Sequence, residues 1–183
     1  MHKTFVLIFL LSIMIISCDT DQHIRTYRLP KNLTMKDLGT DNISHDPEIA
    51  WEKPRNWKEV TGHSMRLASF GAPFSEGNGD VSITTFGGAS GGIGPNVNRW
   101  LGQIGLGSMS QPEIEALAIK KIGKIGGYSY FKLINDKDPS LAILASIFQL
   151  KERTVFVKLS SNLKGLKEIE PDFNQFCNSI YIK

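Results

Sequence analysis

The ten residues from Leu141 to Leu150 (LAILASIFQL) are almost continuously apolar. In an extended chain successive side chains point to opposite faces, so such a run leaves neither face for water. That is the pattern of a central strand. The segments around it are compatible with a sheet. Thr154 to Leu159 follows after a Lys151-Glu152-Arg153 turn, and Ile119 to Ile125 and Tyr128 to Ile134 flank a Gly126-Gly127 hairpin signal.

Upstream, the domain begins near Ile49-Ala50-Trp51, with Pro54 to Trp57 as a turn followed by an aromatic anchor. Ser64 to Phe70 alternates as a strand, Gly71 to Gly79 is a turn-rich stretch, and Asp80 to Phe86 alternates again. These predict a hairpin with a long loop. Gly87 to Gly94 (GGASGGIG) is a flexible loop, and Pro95 opens a helix. Val97, Trp100, Leu101 and Ile104 form that helix's apolar face, and Gly105 and Gly107 end it. Gln111 to Leu117 predicts a short second helix, and Leu166 to Ser179 a closing one with a stripe of Phe173, Phe176, Cys177 and Ile180. The fold class is α+β: an antiparallel sheet with packed helices. From Trp51 to Lys183 the order of elements, with Trp57 before the first strand, is similar to the Mog1/PsbP-like fold. Several members of that fold are accessory subunits, so the resemblance implies a binding or assembly role.

The chain starts with Lys3 and an apolar run from Phe5 to Ile16. The run is short of the ~20 residues that cross a bilayer and suits a secretion signal. Ile15-Ile16-Ser17-Cys18 after it resembles the lipobox of bacterial lipoproteins. The resemblance implies cleavage before Cys18, acylation of that cysteine, and a domain outside the cytoplasm on a cell-envelope membrane. Residues 1–17 are then the signal, 18–48 the lipidated cysteine and a tether, and 49–183 a single domain. An ordinary signal peptide or an uncleaved anchor remains open. Asp19 favours inner-membrane retention in enteric bacteria, a rule that does not extend across phyla, so the membrane stays open too. Within the tether, Ile24 to Pro30 carries a short strand signal.

Charge excludes one class of partner. The formal charge is +3 from 21 basic and 18 acidic residues; loss of Lys3 with the signal leaves 20 against 18, or +2. Nucleic acid would call for a clustered basic face, so it is not expected as a partner. With Cys18 acylated, Cys177 has no partner for an intramolecular disulfide and reads as an inert core thiol.

The most distinctive run is Asn96-Val97-Asn98-Arg99-Trp100-Leu101-Gly102-Gln103-Ile104-Gly105-Leu106. Together with Thr26 to Lys31 and Met65 to Phe70, it resembles a group of uncharacterised bacterial secreted proteins and lipoproteins. That resemblance carries no mechanism. Asn96, Arg99 and Gln103 form a polar ridge at i, i+3 and i+7. With Asn98 and Trp100 they are candidate interaction residues, since arginine, tryptophan and planar amides suit a recognition surface. A scaffolding role fits the same residues: Arg99 paired to a carboxylate, Trp100 in the core, asparagines as caps. Gly87, Gly88, Gly91, Gly92 and Gly94 are a candidate ligand loop, since backbone N–H groups before a helix can cradle an anion. The spacing matches neither a dinucleotide fingerprint nor a P-loop.

Catalytic and metal chemistry have little to stand on. Ser90 sits in GASGG, one residue out of a nucleophile elbow. Glu168 and Glu170 lie two apart at the start of the closing helix and point apart. Of His2, His23, His45 and His63, only His63 falls in the domain; with Met65 and Met109 it is a weak copper pattern, and no zinc spacing exists. No cofactor, metal or catalytic residue is assigned. The expectation is a membrane-anchored lipoprotein acting as a binding or assembly module, with a small-molecule or anion binder using the glycine loop as the alternative.

Overall fold

The computed structural model describes residues 49–61, 65–88 and 92–183. Cys18, the signal, the tether with its Ile24–Pro30 strand signal, His63, Ser90 and Gly91 lie outside the described residues.

Seven strands form one antiparallel sheet in the order β2-β3-β4-β8-β7-β6-β5. They are β2 (Lys58–Glu59), β3 (Ala68–Phe74), β4 (Gly77–Gly87), β5 (Ile119–Gly123), β6 (Gly126–Ile134), β7 (Ala142–Gln149) and β8 (Arg153–Ser161). β1 (Ile49–Ala50) pairs with β9 (Tyr181–Ile182) in a separate two-stranded ribbon. Among the described residues three helices complete the α+β architecture: α1 (Ile93–Gln103), α2 (Gln111–Leu117) and α3 (Leu163–Ser179).

The apolar run is central, as its pattern predicts, and β7 is buried from Ala142 to Phe148. Its two faces serve different cores. Ala142, Leu144 and Phe148 join Val155, Val157 and Leu159 of β8 beneath Leu166, Ile169, Phe173, Phe176 and Cys177 of α3. Ile143, Ala145 and Ile147 join Phe131, Leu133 and Phe156 beneath Val97, Trp100, Leu101 and Ile104 of α1 and Ile114 of α2. The sheet therefore lies between α3 on one face and α1 with α2 on the other. Trp57 is the aromatic anchor its position predicts, 5.1 Å from Phe176 and 6.0 Å from Phe70 between ring centroids.

Local signals set the helix ends. Gly105 adopts φ 73°, and its N–H and that of Leu106 return to the carbonyls of Gly102 and Leu101 at 3.2 and 2.9 Å. This pair of bonds closes α1 with a left-handed C-terminal turn. α2 begins with a reciprocal cap between Ser110 and Glu113. α1 starts at Ile93, two residues before Pro95, because a proline in the first turn gives up an N–H that has no acceptor within the helix.

Four sequence expectations are corrected. The strand over Ser64–Phe70 begins instead at Ala68 and continues to Phe74, and the long loop shrinks to a turn at Ser75-Glu76. Pro73 is tolerated because β2 pairs only with Phe70 and Gly71, which leaves that edge of β3 free further on. Gly79 belongs to β4 because Ile169 of α3 presses onto it: a Cβ there would meet Leu159 Cδ1 at 2.6 Å and Ile169 Cδ1 at 2.9 Å. The β5–β6 turn is Lys124-Ile125 rather than Gly126-Gly127, with the Lys124 N–H donated to the Asn178 carbonyl at 2.9 Å. Finally, α3 starts at Leu163, where Asn162 Oδ1 accepts the Gly165 N–H at 2.7 Å. Glu168 and Glu170 consequently lie beyond the first turn. Glu168 accepts from Ser75, whereas Glu170 accepts from the Tyr130 hydroxyl, so the two do diverge.

The contact at Gly79 yields a test. Alanine in a strand interior ordinarily gains stability over glycine, by roughly 0.5–1 kcal/mol. Here the added methyl enters filled space, so Gly79→Ala is expected to lower unfolding free energy by about 1–3 kcal/mol in urea denaturation. Unchanged stability would mean that Leu159 and Ile169 repack freely.

Candidate functional site

α1 and α2 do not cover the whole of their face of the sheet. Their core ends at Phe156 of β8, where the Trp100 ring meets the phenylalanine edge-on at 6.2 Å. Among the described residues the same face continues onto β4 and β3 with Thr84, the buried Ser82 and Ser69, and the exposed Phe86, which meets Phe156 edge-on at 6.1 Å. The register places Thr84 opposite Phe156, Ser82 opposite Lys158, and Ser69 opposite Ser82. Between α1 and this strip lies a groove of about 230 Å³ lined by Arg66, Ser82, Thr84, Arg99, Trp100, Gln103, Phe156 and Lys158.

Three cations converge there. Arg66, just before β3, grips Asp80 of β4 through both terminal nitrogens at 2.8 and 3.0 Å. Arg99 projects from the exposed side of α1 and donates to Asn96 Oδ1 at 2.7 Å. Lys158 rises from β8 and donates to Gln103 Oε1 at 3.2 Å. Burial pushes the Lys158 ammonium below the ordinary lysine value; Asp80 opposes that shift, while Arg66 and Arg99 add to it. Thus, among the described residues, one carboxylate faces three positive groups, and Arg66 is the one hydrogen-bonded to it. An arginine fork and an ammonium beside hydroxyls and an apolar wall are suited to holding a carboxylate or phosphate oxygen.

The predicted ridge divides. Arg99 and Gln103 line the groove, whereas Trp100 is only 3% exposed and belongs to the core, so just its edge reaches the wall. Asn96 is buried and donates to the Gly92 carbonyl at 2.7 Å, which organises the start of α1. Asn98 points away from the groove. It donates to the Met109 carbonyl at 3.0 Å and accepts the Met109 N–H at 2.8 Å, clamping the connection to α2.

The glycine loop is tied down where it is described. The Gly88 N–H bonds the Glu152 carbonyl at 2.8 Å, and the Gly88 carbonyl accepts from Thr154 Oγ1 at 2.9 Å. Gly92 caps α1 with φ 73°, and Gly94 is small because Gln111 Oε1 would lie 2.6 Å from a Cβ there. Gly94 thus serves the packing of α1 near the start of α2, and Gly87 is the last residue of β4.

Arg66, Asp80, Ser82, Thr84 and Lys158 were not among the candidates. A signal existed for one: Arg66 lies in the Met65–Phe70 segment that accompanies the Asn96–Leu106 run. The others are ordinary outward-facing strand positions, brought to α1 only by the sheet order. A larger hollow, about 530 Å³ beside Asp138, Asn162 and Lys164, has its polar groups engaged locally. There Asp138 accepts from the Ser140 N–H, Asn162 caps α3, and Lys164 pairs with Glu76. Among the described residues no group of three or more metal-ligating side chains is found, and no helix is long and apolar enough to cross a membrane.

No family model matches the chain, and no curated protein matches it significantly. Among solved structures it is similar to a Bacteroides thetaiotaomicron VPI-5482 protein at 16% identity and a TM-score of 0.47 over 74% of this chain; the match spans only 45% of that protein. It is also similar to CyanoP, the cyanobacterial PsbP of Synechocystis sp. PCC 6803, at 13% identity and a TM-score of 0.46, over 80% of this chain and 99% of CyanoP. Both likenesses are too distant to transfer a ligand, a partner or a role.

The electrostatics of the groove can be measured on Lys158. Its folded-state value lies below the unfolded one, so the folded protein binds fewer protons in the window just under the ordinary lysine pKa of 10.5, and stability rises with pH through that window. NMR titration of the Lys158 side chain should show the depressed value. Asp80→Asn should depress it further and Arg99→Gln should raise it. An unperturbed lysine titration would contradict the convergence of charge described above.

Proposed function

We propose that this protein is a non-catalytic binding or assembly module of the bacterial cell envelope. A lipid on Cys18 holds it to a membrane, residues 18–48 act as a tether, and the domain meets an envelope protein through the groove beside α1. The observation that carries the reading is a convergence. Arg66 from one distinctive segment, and Arg99 and Gln103 from another, come together with Lys158 around one open groove. Charge recognition of this kind needs no reacting group. The anchoring half of the proposal rests on the apolar run ending at Cys18. Two or three acyl chains hold stably where one holds marginally, at about 0.8 kcal/mol per buried CH₂.

The two halves separate experimentally. In cells labelled with a palmitate analogue, the wild-type chain should carry label and fractionate with membranes. Cys18→Ser should lose both; a variant that remained labelled would place the lipid elsewhere.

For the binding half, the full protein is captured from native membranes after mild crosslinking, beside Arg99→Ala with folding checked by circular dichroism. A partner enriched with wild type and depleted about tenfold or more with the variant is expected, the loss of a charged contact at a binding face. Equal capture by both forms would remove the groove as the binding face.

A further inference from the structure

We infer that the groove receives a single acidic side chain from a protein segment of the partner, with Arg99 and Lys158 closing on its carboxylate. This rests on the binding-module reading above and adds the chemistry of what is bound.

Size is the first argument. At about 230 Å³ the groove is smaller than the ~300–1,000 Å³ of pockets that engulf free small molecules. It matches one inserted side chain whose backbone stays outside.

Charge balance is the second argument. Arg66 already has a bidentate carboxylate in Asp80. Arg99 and Lys158 are held instead by the neutral amide oxygens of Asn96 and Gln103. A carboxylate can displace those amides and supply the anion that the cluster lacks, with charge-assisted bonds replacing neutral ones. The Lys158 ammonium is partly desolvated, so such a bond is less screened than at an open surface.

The wall is the third argument. Phe156 and the edge of Trp100 stand beside the cations, and the hydroxyls of Ser82 and Thr84 form the floor. This pairs an apolar strip for a methylene stem with donors for a carboxylate head. Strand register holds Lys158 opposite Ser82, Asp80 positions Arg66, and Arg99 rests on Asn96 one turn back on α1, so all three start from beside the groove.

The test uses the full-length protein in detergent and a blocked hexaglutamate peptide, with the hexaglutamine peptide and inorganic phosphate as comparison arms. Calorimetry gives affinity, and NMR of Lys158 gives location. The glutamate peptide should bind, weaken as salt is raised, and move the Lys158 titration upward. The double variant Arg99→Gln/Lys158→Gln should lose roughly tenfold or more in affinity, the loss of two charge-assisted contacts. Arg99→Lys should retain part of it. Lys164→Gln/Lys167→Gln, which removes the same charge elsewhere, should bind as wild type does.

Equal binding of the two peptides, or unchanged affinity in the double variant, would overturn the inference. So would saturation by phosphate without binding of the glutamate peptide, which would mark a small-anion site. If the peptide fails while capture from membranes still depends on Arg99, only the acidic chemistry falls. If both fail, the groove is not the binding face.

Discussion

The burial of β7 on both faces is the constraint from which the rest of the structure follows. Seven consecutive side chains, Ala142 to Phe148, lie out of water, with apolar residues on each parity of the alternation. A strand of that kind is stable only with cover above and below it. α3 supplies one cover along its length, from Leu166 to Cys177. α1 and α2 supply the other, and they are short. α1 has 11 residues and α2 has seven, enough for β6, β7 and the edge of β8 but not for β4 and β3. Beyond them the described residues of this face are mixed: Ser69 and Ser82 are buried hydroxyls, Thr84 is half-buried and Phe86 is exposed. The groove lies at the edge of the cover that α1 and α2 provide.

This division separates stability from recognition. The two cores are built from aliphatic and aromatic side chains. Ion pairs at the surface, such as Lys124 with Glu52 and Lys164 with Glu76, are exposed to solvent and contribute little. Arg99 and Lys158 likewise are not what holds α1 to the sheet; Val97, Trp100, Leu101 and Ile104 do that. The cations of the groove are therefore spare in the energetic sense. Arg66 differs, because its fork on Asp80 crosses from the start of β3 to β4 and braces the hairpin beside the groove. Of the three cations, Arg66 is bound to a carboxylate, whereas Arg99 and Lys158 donate to the neutral amide oxygens of Asn96 and Gln103.

Much of the fold could be read from the chain because its signals are local. Leu141–Leu150 announced a central strand, the Val97-Trp100-Leu101-Ile104 spacing gave α1 its buried face, and Gly105 marked its end. The start of α3 had a local signal in Asn162, whose side chain caps Gly165, but the misread Gly71–Gly79 stretch has non-local causes. Gly71–Gly79 looks like a loop because it is rich in glycine and proline. Yet Gly79 is small to admit Ile169, ninety positions later, and Pro73 is harmless only because β2 is so short. The site was readable in half. Arg99 and Gln103 were visible as a helical ridge, but periodicity alone could not tell that Asn98 turns to Met109. Lys158 was out of reach altogether: a lysine alternating with apolar residues in TVFVKL signals only that one face of β8 is wet.

That wet face depends on register. β4 meets β8 with Val81 opposite Leu159 and Ser82 opposite Lys158, and β7 meets β8 with Ala145 opposite Lys158. Side chains alternate with a period of two, so a slip of one residue in β8 would carry Lys158 into the α3 core and bring Val157 and Leu159 out to the groove. Both errors are costly, one as a buried unpaired charge and the other as exposed apolar surface. The α3 core therefore enforces the placement of Lys158 from the opposite side of the sheet. Ile169 settling over Gly79 and against Leu159 belongs to the same arrangement. Thus Arg66, Lys158 and Arg99, far apart in the chain, are brought together by strand register, by the Asp80 carboxylate and by the packing of α1 through Val97, Trp100, Leu101 and Ile104. The side of the sheet on which Lys158 emerges is set by hydrophobic packing on the other face.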